Sequence, residues 1–135
     1  VVGVKENEYI CLFELKNMAN DNTTVEQAYK QFKNYQLDIP TLFSHNAFNV
    51  ISDGTDTRVG TITSEFNRYM SWKSENGEKP IENKTDFFTV LLNGMFPKKR
   101  LLDIIQNFIV FQNVRGKTIK ILAGYHQYFA VGKAV

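Results

Sequence analysis

The sequence predicts an α/β fold in which a mixed sheet is flanked by helices. Strand-like apolar runs alternate along the chain with amphipathic helical runs, which is the pattern of a layered α/β domain. The length of 135 residues fits one domain, and about two-thirds of the unfolded surface is buried in domains of this size. We therefore expect the elements described below to share one body.

The first long strand-like run is residues 8–16, EYICLFELK, which is mostly apolar. Such a run suits a strand that is buried on both faces near the middle of a sheet. Residues 1–4 are interpreted as the end of a preceding strand, and residues 5–7 as the turn between the two. The simplest prediction is a hairpin that leads into Glu14.

Residues 24–37 have the pattern of an amphipathic helix. Polar residues 20–23 supply loop and N-cap chemistry before it, and Ile39 and Pro40 end it. We expect the helix to pack on the sheet through one apolar face, which consists of Val25, Ala28, Phe32 and Tyr35.

Two further strands are predicted at residues 47–52 and 58–63. The residues between them, Asp53 to Asp56, have the composition of a turn, so the order to this point is β, β, α, β, β. Asp53 and Asp56 are interpreted as turn formers, and a metal-binding role stays open as the alternative.

The second half of the chain is predicted to be mainly helical. Apolar patterns at residues 87–95 and 101–109 indicate two packed helices separated by Pro97. A turn, a short strand and the start of another helix follow at residues 115–117, 118–122 and 125–135.

Composition excludes several classes of protein. Sixteen basic and fourteen acidic residues leave the chain nearly neutral, so its bulk charge gives no argument for nucleic-acid binding. The single cysteine, Cys11, cannot form an internal disulfide, and the apolar stretches are shorter than the ~18 residues of a membrane span. We expect a cytoplasmic protein. Because no Met stands at position 1, we also expect the chain to be a piece of a longer protein.

Glu14, Leu15 and Lys16 depart from the apolar pattern of their strand. Residues two apart on a strand share a face, so the carboxylate and the ammonium project to one side and Leu15 to the other. In a metal-dependent nuclease, the Glu helps to hold Mg²⁺, the Leu15 carbonyl adds a ligand, and the Lys orients the attacking water or stabilises developing charge. The alternative is a salt bridge where the strand reaches water.

Two polar residues of the predicted helix, Gln31 and Tyr35, are four apart and therefore lie on one helical face, one turn from each other. Both side chains can hydrogen-bond near a metal or a phosphate. The alternative is a polar edge residue beside a core Tyr.

The strand, the helix and the next hairpin resemble the PD-(D/E)xK nuclease fold, and Gln31 and Tyr35 match the Gln-x-x-x-Tyr element of its RecB-like members. Over nearly all 135 residues, the motif order is similar to that of the R (restriction and motor) subunit of type I restriction-modification enzymes. The motifs that carry the resemblance are LFELKN, QAYKQFKNY, IPTLF, NVISDGTDTRVGT, MSWKS, LLNGMF, RLLDIIQNFIVF and KILAGYHQYFAVGKAV.

The resemblance implies a restriction-endonuclease-like core, truncated at its N-terminal strand, over residues 1–116. Residues 117–135 would be a linker strand and the start of a helicase-like ATPase domain. The implied activity is that of a type I site-specific deoxyribonuclease, which cleaves unmodified double-stranded DNA with Mg²⁺ while the adjacent motor translocates DNA with ATP. Modification and specificity subunits would be the partners, and the specificity subunit would read the DNA sequence.

The same resemblance assigns roles to individual residues. Glu14 would bind the metal, Lys16 would assist the nucleophile, and Gln31 and Tyr35 would support the substrate. Gln127 would sit where such motors hold the adenine of ATP, with Tyr125 as a weaker candidate beside it; the alternative for Gln127 is a surface residue at a helix start.

One departure from the family pattern concerns the metal ligands. The family has an Asp on the strand before the Glu-x-Lys strand, and residues 1–13 contain no Asp. Glu6 and Glu8 lie in or beside the presumed turn, so we expect the missing Asp immediately before Val1 in the parent protein. The 135 residues alone are then expected not to cleave DNA.

Two other functions stay open. A stand-alone RecB-like nuclease predicts a reading frame that stops near Val135. A degenerate nuclease fold that serves as an interaction or DNA-docking module is compatible with the absent Asp. Lys98, Lys99 and Arg100 are interpreted as a solvated helix end, with contact to a DNA backbone as the alternative.

Overall fold

The computed structural model describes residues 2–5, 8–17, 19 and 22–134, and of residues 2–5 it describes the backbone alone. It confirms the predicted mixed α/β class. The elements are β1 (Val2–Lys5), β2 (Glu8–Leu15), α1 (Val25–Asp38), β3 (Phe48–Ser52), β4 (Thr57–Gly60), α2 (Phe87–Met95), α3 (Lys98–Asn107), β5 (Ile109–Val114), β6 (Lys117–Leu122) and α4 (Tyr125–Ala134). Short 3-10 turns lie at Pro40–Phe43, Phe66–Arg68 and Lys84–Asp86.

The first four strands form one mixed sheet in the order β1-β2-β3-β4. β1 is antiparallel to β2, β2 is parallel to β3, and β3 is antiparallel to β4. The predicted hairpin into Glu14 and the predicted strand pair around residues 53–56 are therefore confirmed. Of the predicted turn at residues 5–7, residues 6 and 7 lie outside the described part. Because a parallel pair needs a crossover connection, α1 links β2 to β3.

The second predicted strand of the β3–β4 pair is shorter than its apolar pattern indicates. β4 ends at Gly60 and not at residue 63, since Ser64 N donates to Thr61 O at 3.0 Å and closes a turn there. Beyond this turn the chain returns to the sheet, where Met70 forms a bridge with Val59.

α1 is the predicted amphipathic helix and begins with a capping box. Gln27 N donates to Thr24 Oγ1, and Thr24 N donates to Gln27 Oε1, each at 3.3 Å. The helix buries Val25, Ala28 and Phe32. The N-cap is therefore Thr24, next to the predicted polar segment at residues 20–23, of which residues 20 and 21 lie outside the described part.

The sheet separates two hydrophobic clusters. On one face, Leu12 of β2 and Ile51 of β3 pack with α1. On the other face, Cys11 and Val50 pack with Trp72 and with residues of α2, α3 and β6. Since side chains alternate along a strand, the residues that follow Leu12 by two and by four positions lie on the α1 face of the sheet.

The helix predicted at residues 101–109 extends two residues too far at its carboxyl end. α3 ends at Asn107, and Ile109 begins β5, which was not predicted and pairs antiparallel with β6. The apolar run suits either structure when read alone, and pairing decides it because Ile109 lies opposite Leu122, which is buried. The turn between the strands is Arg115-Gly116, with φ values of 51° and 79° that match a two-residue hairpin turn.

α4 confirms the predicted final helix and packs through its aromatic side chains. Tyr125, Tyr128 and Phe129 surround Trp72, with ring centroids 6.0 to 6.3 Å from the Trp ring. The predicted domain boundary at residues 116 and 117 falls in the β5–β6 turn, and it stays a prediction. No helix in the described part of the chain is both long and apolar enough to span a membrane.

Candidate active site at the carboxyl ends of two parallel strands

The candidate site lies where β2 and β3 end side by side. The two strands are parallel, with Leu15 opposite Ser52, so their carboxyl ends meet at one edge of the sheet. Lys16 N donates to Ser52 O at 2.8 Å and continues the pairing one residue past β2. In open α/β sheets, binding sites form preferentially outside the carboxyl ends of the strands.

Glu14 and Lys16 form an ion pair at this edge. Glu14 Oε1 lies 2.9 Å from Lys16 Nζ, and 15% of the Glu side chain and 24% of the Lys side chain are exposed. Both side chains lie on the α1 face, two and four residues after buried Leu12, as the spacing predicts. The ion pair is compatible with both interpretations of the motif, so the catalytic roles stay predictions.

Leu15 lies on the opposite face of β2 and is 57% exposed. An apolar side chain this open is the exception on an inner strand whose middle residues, Cys11 and Leu12, are buried. The strand therefore reaches solvent at its carboxyl end. The predicted metal contact of the Leu15 carbonyl stays a prediction.

Asp53 follows β3 directly and uses both carboxylate oxygens. Its Oδ1 accepts hydrogen bonds from Thr55 N at 2.9 Å and Asp56 N at 2.7 Å, which confirms the predicted turn. Its Oδ2 accepts from Val25 N at 3.2 Å, at the first residue of α1. Sequence reasoning missed this second contact, because no local pattern links two residues that lie 28 positions apart.

The Asp56 carboxylate also has hydrogen-bond partners within the fold. Its Oδ2 accepts from Arg58 Nε at 3.0 Å and Nη2 at 2.7 Å, and the Arg58 guanidinium lies over the Phe66 ring at 5.0 Å. These contacts favour the predicted turn-forming role of Asp56 over the metal-binding alternative.

Gln31 and Tyr35 lie on the flank of α1 that faces away from β4. The opposite flank carries Tyr29, which packs on Phe66 and Tyr69, and Lys33, whose Nζ donates to Ile62 O at 2.9 Å. Burial lowers the pKa of Lys33. Helix geometry therefore places Gln31 and Tyr35 on the side of α1 away from Phe66 and Tyr69.

Within the described part of the chain, neither Gln31 nor Tyr35 forms a hydrogen bond or ion pair with Glu14 or Lys16. Tyr35 packs at the margin of the cluster around Leu12. The structure thus brings Glu14 and Lys16 together and does not bring Gln31 or Tyr35 into a hydrogen bond or ion pair with them.

The described residues supply only some of the ligands that a metal ion needs. Among the described residues, no group of three or more His, Cys, Asp or Glu side chains is placed to hold a metal ion. Glu14 supplies one partly exposed carboxylate, which suits Mg²⁺ because this ion is usually held by one or two carboxylates and several waters. The residues fit an Mg²⁺ site that takes at least one more ligand from elsewhere.

Gln127 lies at the start of α4 beside a separate cleft of about 500 Å³. Its Oε1 accepts a hydrogen bond from Gly124 N at 2.8 Å, which caps the helix, and its side chain is exposed. Arg68, Lys120 and His126 also line the cleft. Tyr125 packs against Trp72 and is only partly exposed.

The basic residues that open α3 differ in their contacts. Lys98 and Lys99 are exposed, as a solvated helix end predicts. Arg100 Nη1 instead donates to Gly94 O at 3.0 Å and also to Glu75 O, and its guanidinium lies 5.2 Å from the Phe129 ring. Arg100 therefore joins α3 to α2, to α4 and to the loop that contains Glu75.

A mixed sheet with an acid–base pair at the carboxyl ends of its parallel strands defines an α/β domain with a candidate catalytic edge. Residues 1–68, which include the whole four-stranded sheet and α1, match the family described as "Type I restriction enzyme R protein N terminus". This match covers half of the chain, and the chain belongs to that family.

Three curated relatives extend the similarity beyond residue 68. The chain is 36% identical over its whole length to "Type I restriction enzyme HindI endonuclease subunit" of Haemophilus influenzae. Over 93% of its length, it is 29% and 30% identical to the putative MjaIXP and MjaVIIIP endonuclease subunits of Methanocaldococcus jannaschii. The chain spans only 12 to 13% of the length of these relatives.

Proposed function

We propose that this chain is the core of a Mg²⁺-dependent DNA endonuclease domain, with a restriction-endonuclease-like fold, in a type I R subunit. Membership of the R protein N terminus family and the endonuclease subunits among its relatives support the proposal. The observation that carries it is the Glu14–Lys16 ion pair, partly buried on the α1 face at the carboxyl end of an inner strand. The reaction would be hydrolysis of a phosphodiester in unmodified DNA.

In this proposal the described residues supply two metal ligands, the Glu14 carboxylate and the Leu15 carbonyl. Mg²⁺, when bound, supplies charge stabilisation and an activated water. Lys16 lies 2.9 Å from the Glu14 carboxylate and on the same face, so its ammonium can orient a water or phosphate oxygen at that carboxylate. The ion pair holds both side chains in place before substrate arrives.

The register of β1 supports a further carboxylate upstream. Val2 pairs with Cys11 and Gly3 with Tyr9, so β1 extended backward from Val2 runs alongside β2 toward Glu14. An Asp just before Val1 in the parent protein would thus lie at the edge that holds Glu14 and Lys16. Residues 1–135 alone are then proposed to be inactive.

Gln31 and Tyr35 are proposed to support the substrate by contacting the DNA backbone along α1, which begins at this edge and runs away from it. Both side chains are partly exposed, and Tyr35 packs at the margin of the cluster that contains Leu12 of β2. Gln31 lies six residues into α1, about 9 Å along the helix axis from Val25. That position suits contact with a phosphate beside the scissile one better than contact with the metal.

The remaining proposals concern the parent protein. Cleavage of double-stranded DNA would be coupled to ATP-driven translocation by an adjacent motor, with modification and specificity subunits completing the complex. Gln127 is proposed to contact the adenine of ATP. Its Oε1 caps α4, its Nε2 has no hydrogen-bond partner among the described residues, and it lines a cleft that Arg68 also lines.

The proposal is tested with Glu14→Gln in the full-length subunit assembled with its partners. The substitution keeps the shape of the side chain and removes its charge, so Mg²⁺-dependent DNA cleavage is expected to fall by roughly 100-fold or more while ATP hydrolysis continues. Glu26→Gln is the matched control, since Glu26 forms an exposed ion pair with Lys30 on α1. Equal cleavage by the two variants would overturn the assignment.

A second candidate is a degenerate nuclease fold that docks DNA or another subunit. The observation that favours it is the partial donor set among the described residues. In that case Glu14→Gln would leave cleavage unchanged, and the nuclease centre would lie elsewhere in the complex.

A further inference from the structure

The β5–β6 hairpin presents an apolar face that nothing in the described structure covers. Val110 and Ile121 lie opposite each other, and Val114 lies further toward the turn on the same face. Their side chains are 56%, 38% and 40% exposed, respectively. We call Val110, Val114 and Ile121 the outward face of the hairpin, which borders the cleft beside Gln127 at Ile121.

The hairpin is held firmly at its base, so this face has a fixed orientation. Thr61 Oγ1 donates to Lys120 O at 2.7 Å, and Lys120 N donates to Thr63 Oγ1 at 2.8 Å. Lys120 Nζ donates to Asn46 O, and Leu122 is buried in the main core. A two-stranded ribbon is marginal by itself, and here the ties to the sheet domain stabilise it.

Exposed apolar side chains are concentrated in this part of the chain. Six of the ten large exposed apolar side chains of the described residues lie at or after Leu102. α4 contributes Val131 and has no fully buried residue. On the outward face of the hairpin, the Gln112–Ile119 pair lies between the Val110–Ile121 pair and Val114. A concentration of exposed apolar side chains marks a contact surface.

The chemistry of the face favours protein over DNA as its occupant. Val and Ile side chains carry no hydrogen-bond donor or charge for a phosphate, whereas DNA interfaces are polar and strongly cationic. Residues 109–122 contain no Asp or Glu, and the cations Arg115 and Lys117 stand at the rim near the turn. The face therefore suits an apolar protein segment flanked by acidic residues.

The relatives indicate where such a segment comes from. The chain spans 12 to 13% of their length, so most of each relative's polypeptide lies outside the matched region. The hairpin and α4 occupy the last quarter of the 135 residues, where a following region would be tethered close by.

We propose that the outward face of the β5–β6 hairpin is the docking surface for the polypeptide that follows residue 135 in the same R subunit. Val110, Val114 and Ile121 pack against apolar side chains of that region, and Arg115 and Lys117 pair with acidic residues at the rim. The inference rests on family membership and is independent of whether Glu14 and Lys16 are catalytic.

The test uses the full-length subunit with a benzophenone amino acid at position 114. Most cross-links are expected to join position 114 to residues beyond 135 of the same polypeptide, identified by mass spectrometry of the monomer band. A second probe at position 110 serves if the first impairs folding. Position 37 is the control, because Leu37 is 81% exposed on α1, far from the hairpin in sequence.

The proposal is overturned if the cross-links join two copies of the subunit, reach another subunit or DNA, or fail to form. Equal yields to residues beyond 135 from positions 114 and 37 would also overturn it. Loss of DNA cleavage in Glu14→Gln bears on the proposed function alone and leaves this cross-linking pattern unchanged.

Discussion

The carboxylate of Asp53 accepts a hydrogen bond from Val25 N at 3.2 Å and so joins the turn after β3 to the first residue of α1. Ser52, its neighbour, accepts from Lys16 N at 2.8 Å. The start of the helix, the end of β3 and the end of β2 are therefore fixed together at the edge that carries Glu14 and Lys16.

Asp53→Ala is expected to lower the free energy of unfolding by about 2 kcal/mol or more, because three backbone N–H groups lose their acceptor. Chemical denaturation of the protein measures this change. Asp38→Ala is the control, since Asp38 is exposed at the carboxyl end of α1, where a negative charge is not favoured. A loss no larger than that of the control would contradict the joining role of Asp53.

The sequence predicts elements whose pattern is local. The apolar spacing of α1 and the period of two through Glu14 and Lys16 each depend on a few neighbouring residues, and both are confirmed as geometry. The N-cap is Thr24, one residue beyond the predicted capping segment. β5 was missed because its apolar run is ambiguous until Ile109 pairs with Leu122. The Asp53 contact to Val25 is set by the parallel pairing of β2 and β3, which no local pattern shows.

The Arg115-Gly116 turn has a residue that is poorly suited to its backbone. Arg115 has φ of 51°, and a non-glycine side chain in this region costs about 1 kcal/mol, less for Asn. Arg115→Asn is expected to stabilise the protein by several tenths of a kcal/mol. Gly116→Ala, at φ of 79°, is expected to destabilise it by about 1 kcal/mol through backbone strain alone, since nothing lies within 4 Å of the added Cβ.

Thermal unfolding of both variants checks the turn. Opposite signs are expected for the two substitutions. A stabilising Gly116→Ala would show that the two residues do not adopt these φ values.

Stability is expected to fall at alkaline pH. Burial raises the pKa of the Cys11 thiol and of the Tyr69 phenol, with nearby Tyr29 adding to the effect at Tyr69. The folded state therefore keeps both protons where the unfolded state, with ordinary pKa values of about 8.5 and 10, releases them. The contribution is fully present below about pH 8 and is lost as the pH rises beyond these values.

Urea unfolding at several pH values measures this loss, with Tyr69→Phe as the comparison. The variant cannot ionise at position 69, so its stability is expected to decline less steeply above about pH 10. Parallel curves for the two proteins would contradict burial of an ionisable Tyr69.

Helix capping by Gln127 can be separated from the contact with adenine that we propose for it. Gln127→Glu keeps the acceptor for Gly124 N and removes the amide donor. The full-length subunit is expected to keep its melting temperature while its KM for ATP rises. Gln112→Glu adds the same charge beside the same cleft and is expected to leave the KM unchanged. Equal effects of the two variants would remove the support for adenine binding.

The most direct test of the central claim compares Lys16→Ala with Lys30→Ala in the full-length assembled enzyme. Each substitution removes the Lys of a Lys–Glu ion pair. The ion pair of Lys16 is partly buried, and the ion pair of Lys30 is exposed. With both variants folded and hydrolysing ATP, DNA cleavage is expected to fall by roughly 100-fold or more for Lys16→Ala and to stay unchanged for Lys30→Ala. Normal cleavage by folded Lys16→Ala would contradict the account and leave the Glu14–Lys16 pair as a salt bridge at the end of a strand.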